Sequence, residues 1–144
     1  MEQRILALDY GSVRVGVAVS DPLRIIAQSV GAFKNDATLM TRLGEAIAQY
    51  APGLIVVGMP LNLKGEKGQK AEEVERFMEK LKEAFGIELV VWDERFTTRM
   101  AQQTLIDMGT RKKERRENKG RVDAMAAALI LQSFMDQTKR PQIT

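Results

Sequence analysis

Hydrophobic positions along this chain follow two different periods, and together they predict both strands and helices. Residues 5–8 form an uninterrupted apolar run, which is typical of a strand buried on both faces. A second apolar run covers residues 15–19, and Gly11 and Gly16 frame the short reversal, so the two runs predict a hairpin. Residues 25–33 alternate well enough to predict a third strand, which would complete a meander.

Helical spacing takes over after the third strand. Apolar residues recur every three or four positions over residues 37–50, and Asp36 is the predicted N-cap of this helix. A strongly amphipathic stretch over residues 71–85 predicts a second helix, which Gly86 ends. A short apolar strand is predicted between the two helices, at residues 54–57.

The second half of the chain continues the alternation of strand and helix. The pattern predicts a glycine-punctuated loop at 58–68, a strand at 89–93, a helix at 98–108 and a largely apolar helix at 122–135. Three strands followed by alternating helices and strands imply a mixed sheet with helices on its faces, because parallel neighbours need helical crossovers. The predicted fold class is therefore an α/β layered domain.

Composition narrows the chemistry that this domain can perform. The 144 residues, 44% of them hydrophobic, suit one core, so we expect residues 1–144 to form a single domain. The chain has neither cysteine nor histidine, which excludes thiolate nucleophiles, Cys/His zinc sites and imidazole bases. Any catalysis therefore rests on carboxylates, amines, hydroxyls or bound metal. No stretch resembles a signal peptide or a membrane span, and we expect a cytoplasmic protein.

Positive charge is concentrated in one segment, residues 111–121, which read RKKERRENKGR. Its seven basic and two acidic residues carry a net charge of +5, which leaves the rest of the chain at −2. We expect residues 110–121 to form a basic, mobile loop. Such a loop attracts a polyanion by releasing its counterions. A solvated loop without any partner would have the same composition.

Three carboxylates stand out by their positions in the predicted elements. Asp9 ends the first strand, Glu94 follows the last strand, and Asp123 opens the final helix. A sheet that places the two strands side by side would bring all three to one edge. Like charges so close together need a cation, and hard oxygen ligands without histidine suit Mg²⁺ or Mn²⁺. Taken singly, each acid has a plain alternative role as a turn residue, a surface residue or a helix first-turn residue.

Four segments in a fixed order carry a resemblance to a known family. They are LALDYGSVRVGVAVSDP, VGMPLNLKG, VWDERFTT and NKGRVDAMAAALILQ, and they are spread over nearly the whole chain. They resemble the characteristic stretches of the YqgF family of RNase H-like nucleases. The resemblance implies an RNase H-like fold, with a five-stranded mixed sheet flanked by helices. It also implies a metal-dependent endonuclease that processes the 5′ end of pre-16S rRNA or, by an older assignment, resolves four-way Holliday junctions.

The resemblance also implies a set of site residues. Strand alternation lets at most one of Asp93 and Glu94 face Asp9, and the family pattern selects Glu94. Asp9, Glu94 and Asp123 are then the catalytic residues and the ligands of Mg²⁺ or Mn²⁺, with two ions expected. The expected contacts to nucleic acid adjoin these acids or follow a strand at the same end of the sheet. They are Asn62, Lys64, Arg95, Lys119 and Arg121.

Two rival functions would use the same features differently. The Asp-x-Gly hairpin also resembles the phosphate-binding element of the actin and sugar-kinase superfamily, but those enzymes clamp ATP between two related domains. A catalytically silent RNA-binding module would use only the basic loop, and unneutralised carboxylates beside an RNA backbone oppose it. We expect structured RNA, above all pre-16S rRNA, rather than four-way DNA as the partner. A ribosomal partner and either a monomer or a homodimer are compatible with the sequence.

Overall fold

The computed structural model describes residues 3–61, 64–94 and 119–139, without the side chains of residues 119–123 and 139. Five strands and three helices occupy these ranges, and their bounds lie close to the predicted ones. The strands are β1 (Ile5–Tyr10), β2 (Arg14–Ser20), β3 (Ala27–Lys34), β4 (Leu54–Met59) and β5 (Glu88–Asp93). The helices are α1 (Leu39–Tyr50), α2 (Gln69–Phe85) and α3 (Lys119–Lys139).

The strands form one mixed sheet in the order β3-β2-β1-β4-β5. The meander of β1, β2 and β3 is antiparallel, as the short connections predict, while β4 pairs in parallel with both β1 and β5. Because β1, β4 and β5 run in the same direction, their carboxyl ends meet at one edge of the sheet. The predicted five-stranded mixed sheet is confirmed.

Each face of the sheet has its own hydrophobic core, because alternate residues of β1 point to opposite faces. Leu6 and Leu8 pack with α1 and α2, whereas Ile5 and Ala7 pack with α3. We call these the α1/α2 face and the α3 face. Both cores run through fully buried strand residues, which explains why β1 and β4 are continuously apolar in the sequence.

The prediction that Asp36 is the N-cap of the first helix was wrong. Helix α1 begins at Leu39 after Thr38, two residues later than predicted. The Asp36 carboxylate instead accepts hydrogen bonds from the Thr38 backbone N–H (2.9 Å) and the Thr38 hydroxyl (2.5 Å). Asp36 therefore forms a side-chain-stabilised turn before the helix, which is a common alternative role for this residue type.

The structure also differs from the prediction at the carboxyl end of the predicted loop 110–121. Helix α3 begins at Lys119, so the last three residues of that segment are helical. Residues 110–118 and the predicted helix 98–108 lie outside the described residues.

Within the described ranges, none of the helices is both long enough and apolar enough to cross a membrane.

Candidate active site

Asp9 lies near the carboxyl end of β1 and on the α3 face of the sheet. Its neighbour Leu8 belongs to the core of the α1/α2 face, and Tyr10 packs its ring on Phe77 of α2 with centroids 4.7 Å apart. Ala7 belongs to the core of the α3 face. Strand alternation therefore turns Asp9, like Ala7, toward the α3 face. The residue is half-buried and makes contacts within the protein.

Asp9 is flanked by a glycine on each neighbouring strand. In the antiparallel ladder it pairs directly with Gly16 of β2. On its other side, the last pair in the parallel ladder between β1 and β4 is Leu8 and Val57. The next residues on these two strands, Asp9 and Gly58, are therefore adjacent. Neighbouring strands lie about 4.8 Å apart, and neither glycine has a side chain to cover the acid. Neither neighbouring strand therefore presents a side chain directly beside Asp9 on the α3 face.

Glu94 fills the space above Gly58. A β-carbon placed on Gly58 would lie 2.5 Å from Glu94 Oε1, 3.0 Å from Glu94 Cγ and 2.9 Å from Ile130 Cδ1 of α3. The Glu94 N–H donates to the Met59 carbonyl oxygen (3.1 Å), which continues the β4–β5 pairing by one residue beyond β5. The Glu94 side chain thus lies across β4 on the α3 face, beside the strand that carries Asp9.

The neighbouring acid, Asp93, lies on the opposite face. Asp93 pairs with Met59, which belongs to the core of the α1/α2 face. Trp92 belongs to the core of the α3 face and meets Phe134 of α3 edge-on, with centroids 6.3 Å apart. Alternation from Trp92 to Glu94 gives Glu94 the same face as Asp9. The residue pattern alone did not decide whether Asp93 or Glu94 faces Asp9. The geometry decides it, because Glu94 lies on the same face as Asp9 and Asp93 lies on the opposite face.

The sheet does not place the first and last strands side by side. Strand β4 lies between β1 and β5, so Asp9 and Glu94 come from strands that do not touch each other. Gly58 makes their approach across β4 possible, because any larger residue would occupy the position of the Glu94 side chain. The sequence analysis missed Gly58. The predicted loop 58–68 included it, whereas β4 continues to Met59, and a glycine inside a strand often marks a close approach.

The other predicted site residues are described to different extents. Lys64 is exposed, on the loop that follows β4, and therefore lies at the edge of the sheet where β1 and β5 also end. Asn62 and Arg95 lie outside the described residues. The remaining three are in the first turns of α3, where only the backbone is described. These are Lys119, Arg121 and Asp123.

The donor set at this edge fits a hard divalent cation. Asp9 and Glu94 offer carboxylate oxygens on a common face, and Mg²⁺ and Mn²⁺ prefer such ligands. Among the side chains that the structure describes, no group of three or more acids is close enough to hold a metal. The described part of the chain thus brings together two of the three predicted ligands, and the Asp123 side chain lies outside it.

Comparison with protein families gives a match over almost the whole chain. Residues 3–137 match the family model described as RuvX, Holliday junction resolvase. A relative from Thermoanaerobacter pseudethanolicus is 41% identical over 138 residues, which cover 94% of this chain and 98% of the relative. A relative from Lactococcus lactis subsp. lactis is 42% identical over 140 residues, covering 94% and 96%. Both relatives bear the name "Putative pre-16S rRNA nuclease".

Solved structures confirm the fold. Thermus thermophilus RuvC in complex with a Holliday junction substrate aligns with a TM-score of 0.58 at 14% identity, over 96% of this chain and 98% of RuvC. The Fowlpox virus resolvase in complex with junction DNA aligns with a TM-score of 0.56 at 13% identity, over 96% and 100%. At this identity the likeness concerns the RNase H-like fold alone. With the family model and the relatives matching from end to end, the chain belongs to the RuvX (YqgF) family.

Proposed function

We propose that this protein is a metal-dependent endonuclease that hydrolyses phosphodiester bonds in the 5′-end processing of pre-16S rRNA. The observation that carries the proposal is the position of Asp9 and Glu94 on one face of the sheet, with Gly58 leaving room between them. Carboxylates on one face, at the edge where β1, β4 and β5 end, offer the oxygen ligands that Mg²⁺ and Mn²⁺ prefer. The names of the 39–42% identical relatives support rRNA as the substrate.

Each of the three acids has a defined task in this proposal. Asp9 and Glu94, joined by Asp123 from the start of α3, would hold one or two Mg²⁺ or Mn²⁺ ions. Bound there, such ions would supply an activated water and stabilise the leaving oxygen of a phosphodiester. The protein fixes the carboxylates on a rigid sheet, so that little reorganisation is needed when the substrate strand binds. Since the chain lacks histidine, no imidazole contributes to proton transfer.

The cationic groups near the acids would hold the substrate strand. Residues 111–121 carry a net charge of +5, and this segment runs into the start of α3, just before Asp123. Of the proposed contacts, Lys119 and Arg121 adjoin that acid, Asn62 and Lys64 follow β4, and Arg95 follows Glu94. Contacts of this kind grip phosphates and position the strand without reading its sequence.

Cleavage of four-way DNA junctions is the second candidate function. The family description names a Holliday junction resolvase, and the two structural neighbours were solved with junction DNA. The same acids would perform the same chemistry on either backbone. Symmetric cleavage of a junction favours a two-fold dimer, whereas processing of one rRNA end requires only a monomer.

Cleavage assays with defined substrates test the proposal. Labelled pre-16S rRNA, free and in ribosomal precursor particles, and a labelled four-way DNA junction are incubated with Mg²⁺, Mn²⁺ or EDTA. We expect metal-dependent cleavage of the rRNA by the wild-type protein and a loss of at least about 100-fold in Asp9→Asn, as for removal of a group that acts in the transition state. Asp136→Asn, an exposed acid near the far end of α3, should cleave normally.

The outcomes separate the two candidates. Cleavage of the junction alone would assign the protein to DNA. Metal-independent cleavage, or full activity in Asp9→Asn, would refute the proposed role of the carboxylates. Absence of cleavage on every substrate, including the precursor particles, would refute the nuclease function.

A further inference from the structure

Two basic residues lie on the same face as Asp9, on the side away from Glu94. Arg14 of β2 pairs directly with Lys34 of β3. Val15, the next residue of β2, belongs to the core of the α1/α2 face, and Phe33, the partner of Val15, packs against that core. Alternation therefore turns both Arg14 and Lys34 toward the α3 face. Lys34 is exposed and Arg14 is half-buried.

Arg14 and Lys34 carry the same charge on directly paired residues. Like charges directly opposite each other in an antiparallel ladder destabilise the sheet. The Asp36 carboxylate is close by, because the positive charge of Lys34 contributes to lowering the pKa of Asp36. The side-chain hydrogen bond from Thr38 is the largest cause of that lowering. Two positive charges on directly paired residues create a local positive potential, which attracts an anionic ligand.

Only small residues separate the pair from Asp9. In the row of the sheet that contains Asp9, the next two positions on the α3 face are Gly16 and Ala32. Arg14 precedes Gly16 by two residues, so it is the diagonal neighbour of Asp9, with Cα atoms about 7–8 Å apart. No larger side chain of this row lies between the acid and the cations.

The hairpin that carries Arg14 is held firmly in place. The Asn35 N–H donates to the Val13 carbonyl oxygen (2.9 Å), and the Asn35 side-chain amide donates to the Gly11 carbonyl oxygen (2.8 Å). The turn is so tight that a β-carbon on Gly11 would lie 2.5 Å from the Arg14 carbonyl oxygen. Arg14 is thus fixed relative to Asp9 before any ligand binds, which lowers the entropic cost of binding.

We propose that Arg14 and Lys34 form a phosphate subsite that binds the backbone of the substrate strand beside the bond that is cleaved. This inference rests on the proposed nuclease function and adds a contact on the β2–β3 side of Asp9, opposite Glu94. Arginine suits this task because its guanidinium binds phosphate oxygens in a bidentate manner. The start of α3 lies on the same side, since the Ser29 hydroxyl of β3 donates to the Ala124 carbonyl oxygen (3.2 Å).

Salt-dependent binding tests the subsite without requiring cleavage. Binding of the labelled pre-16S precursor RNA and of the four-way DNA junction is measured over a salt series with Asp9→Asn, alone and combined with Lys34→Gln. Loss of one phosphate contact should reduce the slope of log K against log salt by about 0.7 for a single strand and about 0.9 for a duplex. Lys82→Gln is the matched control, because Lys82 is exposed in the last turn of α2, which packs on the other face.

Thermal unfolding and kinetics complete the test. Lys34→Gln should be at least as stable as the wild type, because it removes a like-charge pair. In the active protein it should raise KM and leave kcat nearly unchanged, since a ground-state contact has been lost. Arg14→Gln should show the same change in salt slope, and a circular dichroism spectrum establishes that it folds.

Unchanged salt slopes in both Lys34→Gln and Arg14→Gln would overturn the subsite. So would an equal change in Lys82→Gln, which would indicate a general effect of net charge. If Lys34→Gln and Arg14→Gln reduce the salt slope as expected and the wild-type protein cleaves nothing, the nuclease function fails and phosphate binding at Arg14 and Lys34 stands.

Discussion

At the scale of single residues, the candidate site depends on a glycine, Gly58, at a position where any side chain would collide with Glu94. Gly58 lies on β4 between the strands that carry Asp9 and lead to Glu94, and its lack of a β-carbon leaves space for the Glu94 carboxylate. Ile130 of α3 closes the same space from above. Glu94 and Ile130 therefore leave no room for a side chain at position 58. A shift of Glu94 would disturb the candidate site, and a shift of Ile130 would disturb the core of the α3 face.

We expect Gly58→Ala to reduce both the rate of cleavage and the stability of the fold. The new methyl group would displace the Glu94 carboxylate and press on Ile130, at a cost of about 1–3 kcal/mol for overpacking. A catalytic group moved by about 1 Å can cost about 100-fold in rate. The measurements are kcat on the cleaved substrate and the free energy of unfolding in urea.

Gly68→Ala is the matched control for this substitution. Gly68 precedes α2, and a β-carbon there would meet nothing within 4 Å. The control should retain both activity and most of its stability. Equal activity of Gly58→Ala and wild type would contradict the account of how Glu94 is positioned.

At this scale, the sequence predicted a candidate site residue only where the residue type itself suggested a chemical role. Asp9 was recognisable because an acid ends an apolar strand. The choice of Glu94 over Asp93 came from the family pattern, and it agrees with the faces observed in the structure. Gly58 could not be assigned a role without knowing that β4 lies between β1 and β5, because strand order depends on long-range pairing.

At the scale of elements, the connection between β2 and β3 is anchored by one carboxylate. Asp21 Oδ1 accepts the backbone N–H groups of Ile25 (2.7 Å) and Ile26 (2.8 Å). These bonds keep residues 25 and 26 out of the ladder, which explains why β3 begins at Ala27 and not at residue 25 as predicted. Gln132 of α3 secures the same region through the Ala27 N–H (2.9 Å).

This anchor should make stability depend on pH. The hydrogen bond from Ile26 is the largest cause that lowers the pKa of Asp21 below its usual value of 3.8, and the bond from Ile25 adds to it. A lowered pKa in the folded state means that the stabilisation is present above pH 3.8 and is lost as the pH falls through the folded-state pKa. We expect Asp21→Asn to be less stable than wild type at pH 7.

The difference between the two proteins should shrink as the pH falls below 3.8, because wild-type Asp21 becomes protonated. Urea unfolding at pH 7 and pH 3 measures it. A difference that stays constant or grows at low pH would show that the charge on Asp21 does not stabilise this connection.

Periodicity predicted most elements because their burial patterns are local. Helix α2 was predicted to within two residues, since its buried positions repeat at helical spacing and Gly86 ends it in the left-handed conformation (φ 63°). The starts of α1 and β3 were each predicted two residues too early. In both cases an aspartate binds nearby backbone N–H groups before the element begins, and such local competition is not visible in a hydrophobic pattern.

At the scale of the whole molecule, the site exists only when the sheet and α3 have assembled. Asp9 comes from β1 and Glu94 from the end of β5, and five elements separate these strands along the chain, namely β2, β3, α1, β4 and α2. The third proposed ligand, Asp123, comes from α3. The unfolded chain therefore has no preformed metal site. A cation that binds only the folded protein must stabilise it, by an amount that grows with the logarithm of its free concentration above Kd.

Thermal unfolding with and without Mn²⁺ is therefore the most direct test of the central claim, that acids on the α3 face form a metal site. We predict that Mn²⁺ raises the Tm of wild type and of Asp93→Asn, by an amount equivalent to about 2.7 kcal/mol at 100 times Kd. The same Mn²⁺ should leave the Tm of Glu94→Gln and Asp9→Asn nearly unchanged. An equal Mn²⁺-dependent rise in all four proteins, or a rise lost in Asp93→Asn alone, would contradict the account.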